Sequence, residues 1–309
     1  MIVHVFFGDL ETMAKKVIQI PTLNDEEADF RQLFDIWRRT NGLSKGVVFR
    51  FSHCDFLRPN AVAFLGGLAR LIESRQRTVV FDFSTIPAES VVMTNLCQNG
   101  FAERFGQSPS SSSEHWIPYR EDKHLDMNVI MDYLTLNWIG KGWVHVSDRL
   151  RDAIAGRVWE IYSNAFEHSD TGVGVYSCGQ HYEEQNELVL SVADFGLGIP
   201  AKIRAFLGKY DSRALNLSAD TCLRWAFARG NSTCTGDVPR GLGLDLLKEF
   251  IRLNQGKLEV YSNEGYAIID KDGERFQNRS VSFEGTVVHI ILRCDENLYR
   301  FKDEAESAS

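Results

Sequence analysis

Three side chains suited to catalysis or metal binding follow one another at helical spacing in the middle of the chain. Glu160, Asn164 and His168 stand at positions i, i+4 and i+8, so they form one polar stripe along a predicted helix. A neighbouring apolar stripe predicts contact with a core and comprises Leu150, Ile154, Val158, Ile161 and Ala165. This pairing of stripes fits the wall of a pocket and equally a solvated helix face, and the helix alone leaves both interpretations open.

The next feature is a carboxylate followed by alternating glycines. Asp194 ends the predicted strand 187–194 in the same phase as the apolar residues of that strand, which directs its carboxylate towards a core or a pocket. A buried carboxylate is costly unless it meets a hydrogen-bond donor, and an amino group on a bound base would supply one. Gly196 and Gly198 follow at once, and glycines let the chain turn sharply and let a ligand approach the backbone.

Two further glycines, Gly241 and Gly243, open a predicted helix. Free N–H groups and the positive dipole end of such a helix suit phosphate oxygens. Arg240 precedes them and either adds a charge-assisted contact or is a solvated cation on a loop. The segment 229–240 is polar and long, and loops of this length in a compact domain are often lids or binding loops.

Taken in order, these motifs resemble those of the GHKL ATPases, the family of DNA gyrase, MutL, histidine kinases and anti-sigma serine kinases. The order is a polar-faced helix, a strand ending in D-x-G-x-G, a loop, a G-x-G that opens a helix, and a last strand after Gly285. The resemblance covers residues 145–293. The string from Asn164 to His168 is closest to the anti-sigma serine kinases.

The resemblance implies ATP and Mg²⁺ as cofactors and assigns roles to individual residues. Glu160 would be the general base, Asn164 would ligate Mg²⁺, and Asp194 would accept the adenine amino group. His168 would support the base or the phosphates, or would make a structural hydrogen bond. The residues implied around the nucleotide are Asn164, His168, Asp194, Gly196, Gly198, Arg240, Gly241, Leu242, Gly243, Leu244 and Thr286.

The first third of the chain alternates predicted strands and helices, which indicates an α/β unit with a mainly parallel sheet. Residues 15–107 resemble the STAS domain of anti-sigma-factor antagonists through the turn 54–60, the pair Gly66-Gly67 and the segment 99–105. Where that family has a phosphoacceptor serine, residues 58–61 carry no hydroxyl, so a phosphorylation switch there is in doubt. The alternative is a docking or dimerisation domain without chemistry.

Composition and the Ser-rich stretch set the expected domain boundaries. The sequence predicts an α/β protein with a STAS-like domain over 1–107, a Ser-rich linker over 108–120, a GHKL domain with helices on one face of a mixed β-sheet over 121–300, and a polar tail over 301–309. A formal charge of −8 argues against a nucleic-acid or anionic-membrane surface. Six scattered cysteines and a start unlike a signal peptide favour a cytoplasmic protein.

Three functions follow as hypotheses. The first is phosphorylation of a regulatory partner protein, or ATP hydrolysis that drives a conformational change. The second is a non-catalytic switch in which bound ATP orders the loop and a partner or a second subunit docks, which allows a homodimer. The third is a structural interaction protein with a degenerate site.

Overall fold

The computed structural model describes residues 15–108, 115–168, 172–228, 230–231 and 243–306. The strands are β1 (Lys16–Leu23), β2 (Val47–Leu57), β3 (Val79–Asp82), β4 (Trp116–Asp122), β5 (Val175–Tyr182), β6 (Glu187–Asp194), β7 (Lys257–Asp270) and β8 (Gly273–Arg293). The α-helices are α1 (Glu27–Asn41), α2 (Pro59–Ser74), α3 (Val91–Gln98), α4 (Phe101–Arg104), α5 (Met127–Asp132), α6 (Asp148–His168), α7 (Ile199–Leu207), α8 (Ala219–Phe227), α9 (Gly243–Asn254) and α10 (Lys302–Glu306). The α/β class predicted from the sequence is confirmed.

The N-terminal unit is a three-stranded parallel sheet in the order β1-β2-β3. Strands that run parallel need a long crossover, and α1 and α2 are the two crossovers. Helix α3 is separated from α4 at Gly100, whose φ of 80° is left-handed and ends the first helix there.

The second sheet has five strands in the order β4-β5-β6-β8-β7. Every pairing in it is antiparallel, whereas the sequence predicts a mixed sheet. Two hairpins, β5–β6 and β7–β8, reverse the chain direction between neighbours and account for the difference. Within the predicted linker 108–120, residues from Trp116 onward form β4, while residues 109–114 lie outside the described part of the chain.

Helices α6 and α9 cover one face of the five-stranded sheet. Their buried side chains join those of the sheet in one core, which includes Leu150, Ile154, Val158, Tyr162, Leu247, Phe250, Leu190 and Val288. The hydroxyl of Tyr162 donates to the Ser177 hydroxyl at 2.8 Å and ties α6 to β5. This is the face towards which Asp194 points, since it shares the phase of Leu190.

Helices α1 and α2 of the N-terminal unit cover the opposite face of the same sheet. Phe30 stacks on Tyr261 with ring centroids 4.1 Å apart, and Phe34 stacks on Phe283 at 4.5 Å. Buried residues of the N-terminal unit and of the five-stranded sheet belong to one continuous hydrophobic cluster. The N-terminal unit and the five-stranded sheet therefore share a core, and the sheet is sandwiched between two helical layers.

Two adjacent glycines let α2 lie close to that sheet. A Cβ at Gly66 would come 2.1 Å from the Tyr119 hydroxyl oxygen, and one at Gly67 would come 2.4 Å from the Phe195 ring and 2.5 Å from the Tyr176 ring. These separations are far below van der Waals contact. The Gly66-Gly67 pair thus has a packing role at the interface with the second sheet.

A buried polar network also joins the two segments. Arg58 Nη1 donates to Asp25 Oδ2 at 2.9 Å and to Glu187 at 3.4 Å, and His289 lies 3.3 Å from the same Asp25 oxygen. The second ring nitrogen of His289 lies 2.7 Å from the Ser191 hydroxyl. Burial alone would raise the pKa of Asp25, but the hydrogen bond and charge of His289 and the charge of Arg58 lower it to about 2.

Candidate functional site

Helix α6 carries the polar stripe and is fixed at its start by a cap. The backbone N–H of Leu150 donates to the Ser147 hydroxyl at 3.2 Å, which satisfies one free donor of the first turn. On the later turns Glu160 is half-buried and Asn164 is exposed. His168 is the last residue of the helix, and its side chain lies outside what the structure describes.

Glu160 forms an ion pair that the sequence analysis did not anticipate. Arg157 Nη1 donates to Glu160 Oε1 at 2.6 Å, and both side chains are about one-third exposed. The i, i+3 spacing of the two charges is the sequence signal that predicts such a pair. Oε1 of this carboxylate is therefore held by a guanidinium.

Asp194 lies at the end of β6 and is 7% exposed. The backbone N–H of Gly196 donates to its Oδ1 at 2.9 Å, and Thr286 is its partner across the ladder to β8. Burial raises the pKa of Asp194 to about 7, although hydrogen bonds from Gly196 and Thr286 oppose the rise. The environment therefore has too few donors for a carboxylate, and a ligand with an amino group would supply one more.

Ser262 and Asn263, at the bend of β7, hold the glycine-containing loop beside Asp194. Ser262 Oγ accepts the backbone N–H of Ile199 at 2.8 Å and lies 3.0 Å from the Thr286 hydroxyl. Asn263 Nδ2 donates to the Leu197 carbonyl at 2.9 Å. Sequence reasoning missed both residues, because a Ser-Asn pair within a strand pattern carries no local signal of a contact with a loop more than sixty residues earlier.

Two glycines of the site occupy positions where a side chain would clash. Gly198 has a φ of 81°, and a Cβ there would come 2.6 Å from the Asn263 amide. Gly285 has a φ of 141°, and a Cβ there would come 2.2 Å from the Asp194 carbonyl oxygen. Gly285 thus allows β8 to bring Thr286 against Asp194.

Helix α9 begins at Gly243, as the glycine pattern predicts. Leu244 is half-buried and packs on the core under α6, while the predicted phosphate residues Arg240, Gly241 and Leu242 lie outside the described residues. The predicted loop 229–240 is described only at residues 230–231.

The side chain of Lys248 on α9 is 7% exposed and links α9 to α8. Its ammonium donates to the Phe227 carbonyl oxygen at 2.9 Å and lies 3.3 Å from Glu274. Lys248 therefore ties the middle of α9 to the end of α8, and these two helices flank the predicted binding loop.

Comparison with known families finds a similarity over this part of the chain. Residues 151–296 match the family model of histidine kinase-, DNA gyrase B- and HSP90-like ATPases. Over these residues the chain is similar to the GHKL-type ATPases, a class whose general property is ATP binding coupled to ATPase or kinase function. The search of curated proteins finds no match for the chain. Within the described residues no helix is long and apolar enough to cross a membrane.

The geometry fits the adenosine end of such a nucleotide. Asp194 offers a buried acceptor, and Gly196 and Gly198 shape the loop beside it. Asn164 offers an exposed amide oxygen on α6, the kind of ligand a hard cation prefers.

Proposed function

We propose that residues 145–293 bind ATP with Mg²⁺, and that the protein phosphorylates a partner protein or hydrolyses ATP to drive a conformational switch. The observation that carries the proposal is the buried Asp194 at the end of β6, held beside a glycine loop in a domain of the GHKL type. A carboxylate with a raised pKa in such a place favours a ligand that donates a hydrogen bond.

Asp194 would accept a hydrogen bond from the adenine amino group, with Thr286 beside it on β8. The ionised carboxylate is the better acceptor, so nucleotide affinity should rise as the pH rises through about 7, the pKa to which burial brings Asp194. Gly196 and Gly198 carry no side chains and would leave room for the adenine ring.

Helices α6 and α9 would bind the phosphate end of ATP. Bound Mg²⁺ neutralises charge on the phosphates, and Asn164 would be its protein ligand. Gly243 at the first turn of α9, with Gly241, Leu242 and Leu244, would present backbone N–H groups to the phosphate oxygens. Arg240 would add a charge-assisted contact, and Glu160 would accept the proton of the attacking hydroxyl or water.

Incubation with γ-labelled ATP, Mg²⁺ and candidate partner proteins distinguishes the activities. Label on protein indicates a kinase, and free phosphate indicates an ATPase. Glu160→Ala should abolish turnover and leave ATP binding nearly unchanged, whereas Asp152→Ala, an exposed carboxylate on the same helix, should leave both unchanged. Normal turnover by Glu160→Ala would refute the assignment of the base.

The second candidate is a non-catalytic switch in which ATP binding alone changes affinity for a partner. The pairing of Glu160 with Arg157 favours it, because Oε1 of this carboxylate already accepts a hydrogen bond from the guanidinium. ATP-dependent binding of a partner without labelled product would support this candidate.

The proposal extends to the kinase subtype and to the role of the N-terminal unit. The protein would be of the anti-sigma serine kinase type, with a STAS-like N-terminal unit that receives a regulatory protein or a second copy of the chain in the cytoplasm. His168 would act beside the phosphates or hold α6 in place. The packing of α1 and α2 on the ATPase sheet supports a regulatory role, because a partner bound to the N-terminal unit would act on the sheet that carries Asp194.

A further inference from the structure

Three metal-ligating side chains outside the nucleotide site converge at the edge of the five-stranded sheet. His115, His181 and Glu183 each offer one ligand atom within 4.8 Å of the other two, and we call them the edge cluster. His115 Nδ1 lies 3.6 Å from Glu183 Oε1, and the two imidazole rings stack with centroids 6.0 Å apart.

Strand pairing brings the three residues together. β4 is an edge strand, and its first residue Trp116 pairs with Gln180 of β5. The backbone N–H of His181 donates to the His115 carbonyl at 2.9 Å, so the two histidines stand opposite one another. Opposite residues share a face of the sheet, and Glu183 follows in the turn after β5, where its Oε1 lies 3.6 Å from His115 Nδ1. The register of the sheet therefore pairs the two histidines, and the turn after β5 adds the carboxylate.

His181 is held in place as a metal ligand would be. Its ring stacks on Trp143 with centroids 4.6 Å apart and an angle of 16°. Its Nδ1 is buried, and no group among the described residues hydrogen-bonds to it. A buried nitrogen without a partner costs free energy, which a bond to a metal would offset.

We propose that the edge cluster binds one divalent transition metal ion, and that zinc is the ion its ligands suit best. Two imidazoles and a carboxylate form a known zinc ligand set that leaves one position for water. Magnesium prefers a shell of oxygen ligands, so the site is distinct from the Mg²⁺ of the nucleotide. The bound ion joins the residue that precedes β4 to the end of β5, and so fixes the chain where it leaves the N-terminal unit and enters the ATPase sheet.

Titration calorimetry of the full chain with Zn²⁺, without nucleotide or Mg²⁺, tests the proposal. One equivalent should bind, and His115→Ala and Glu183→Gln should each weaken binding by more than about tenfold, the loss that even an outer-sphere partner typically causes. The His115 and Glu183 side chains are 46% and 69% exposed, so these variants should fold. His124→Ala, which removes an exposed histidine outside the cluster, is the matched control and should bind as the wild type does.

A thermal melt gives the second measurement. Zn²⁺ should raise the Tm of the wild type and of His124→Ala, and should raise that of His115→Ala less at the same concentration, because an ion that binds only the folded state stabilises it. Wild-type affinity in both His115→Ala and Glu183→Gln would overturn the proposal. A thiolate-to-cobalt absorption band after loading with Co²⁺ would also overturn it, since it would assign the ion to cysteines.

Discussion

Replacement of Asp194 by Asn should stabilise the protein without nucleotide and abolish its nucleotide binding. Burial raises the pKa of Asp194 from 3.8 to about 7. A folded-state pKa above the unfolded value means that the folded state holds the proton more tightly. The stability linked to that proton is fully present below about pH 4 and is lost as the pH rises to 7.

The size of the effect follows from the two pKa values. A difference of roughly three pKa units, at about 1.4 kcal/mol per unit, amounts to about 4 kcal/mol of lost stability above pH 7. Asn has nearly the same shape and is never ionised, and its amide can accept the Gly196 N–H and donate to Thr286. Asp194→Asn should therefore be more stable than the wild type at about pH 8.5, by an amount that approaches this figure.

Urea denaturation at two pH values measures the difference. The stability gain of Asp194→Asn should be about 2–3 kcal/mol larger near pH 8.5 than near pH 5, because other titrating groups affect both proteins equally. Asp272→Asn, an exposed aspartate in the β7–β8 turn, should show no such pH-dependent difference. A gain for Asp194→Asn that is the same at both pH values would refute the role assigned to burial.

Three further substitutions test the contacts that position the site. Gly67→Ala should lower the free energy of unfolding by about 1–3 kcal/mol and weaken ATP binding, because the new Cβ meets Phe195 beside Asp194. The control Gly156→Ala on α6 has no atom within 4 Å of its new Cβ and should be neutral or stabilising. Equal melting temperatures for the two variants would contradict this prediction. Asp25→Asn should lower the free energy of unfolding by about 2 kcal/mol near pH 7. Because the pKa of Asp25 is depressed in the folded state, this loss should be present above about pH 4 and should fade as the pH falls towards 2. Denaturation across that range measures the loss, and a loss that is constant with pH would contradict the mechanism. Lys248→Met should lower the free energy of unfolding by about 1–3 kcal/mol, because the Phe227 carbonyl loses its donor, and an unchanged urea midpoint would contradict that anchor.

Local patterns predicted the elements that carry the site. Helical spacing located α6, the strand phase predicted that Asp194 is buried, and the glycine pattern marked the start of α9 at Gly243. Each of these signals lies within one element, where the period of the backbone decides which residues share a face. The roles of the site residues towards ATP and Mg²⁺ stay predictions.

Contacts between distant elements were beyond local patterns. The spacing of Phe30 and Phe34 predicts a buried helix face and does not specify what covers it, so the packing of α1 on the five-stranded sheet was missed. The same holds for Asn263, whose contact with the glycine loop depends on the bend of β7. The Arg157–Glu160 pair is local, and its i, i+3 spacing was readable.

Titration calorimetry with two nucleotides tests the central claim most directly. Inosine triphosphate carries a carbonyl oxygen where ATP carries the amino group that Asp194 would accept. In the presence of Mg²⁺ near pH 8, the protein should bind one equivalent of ATP and should bind inosine triphosphate more than about tenfold more weakly, because a buried acceptor would then face another acceptor. Absence of ATP binding, or equal affinity for the two nucleotides, would contradict the account.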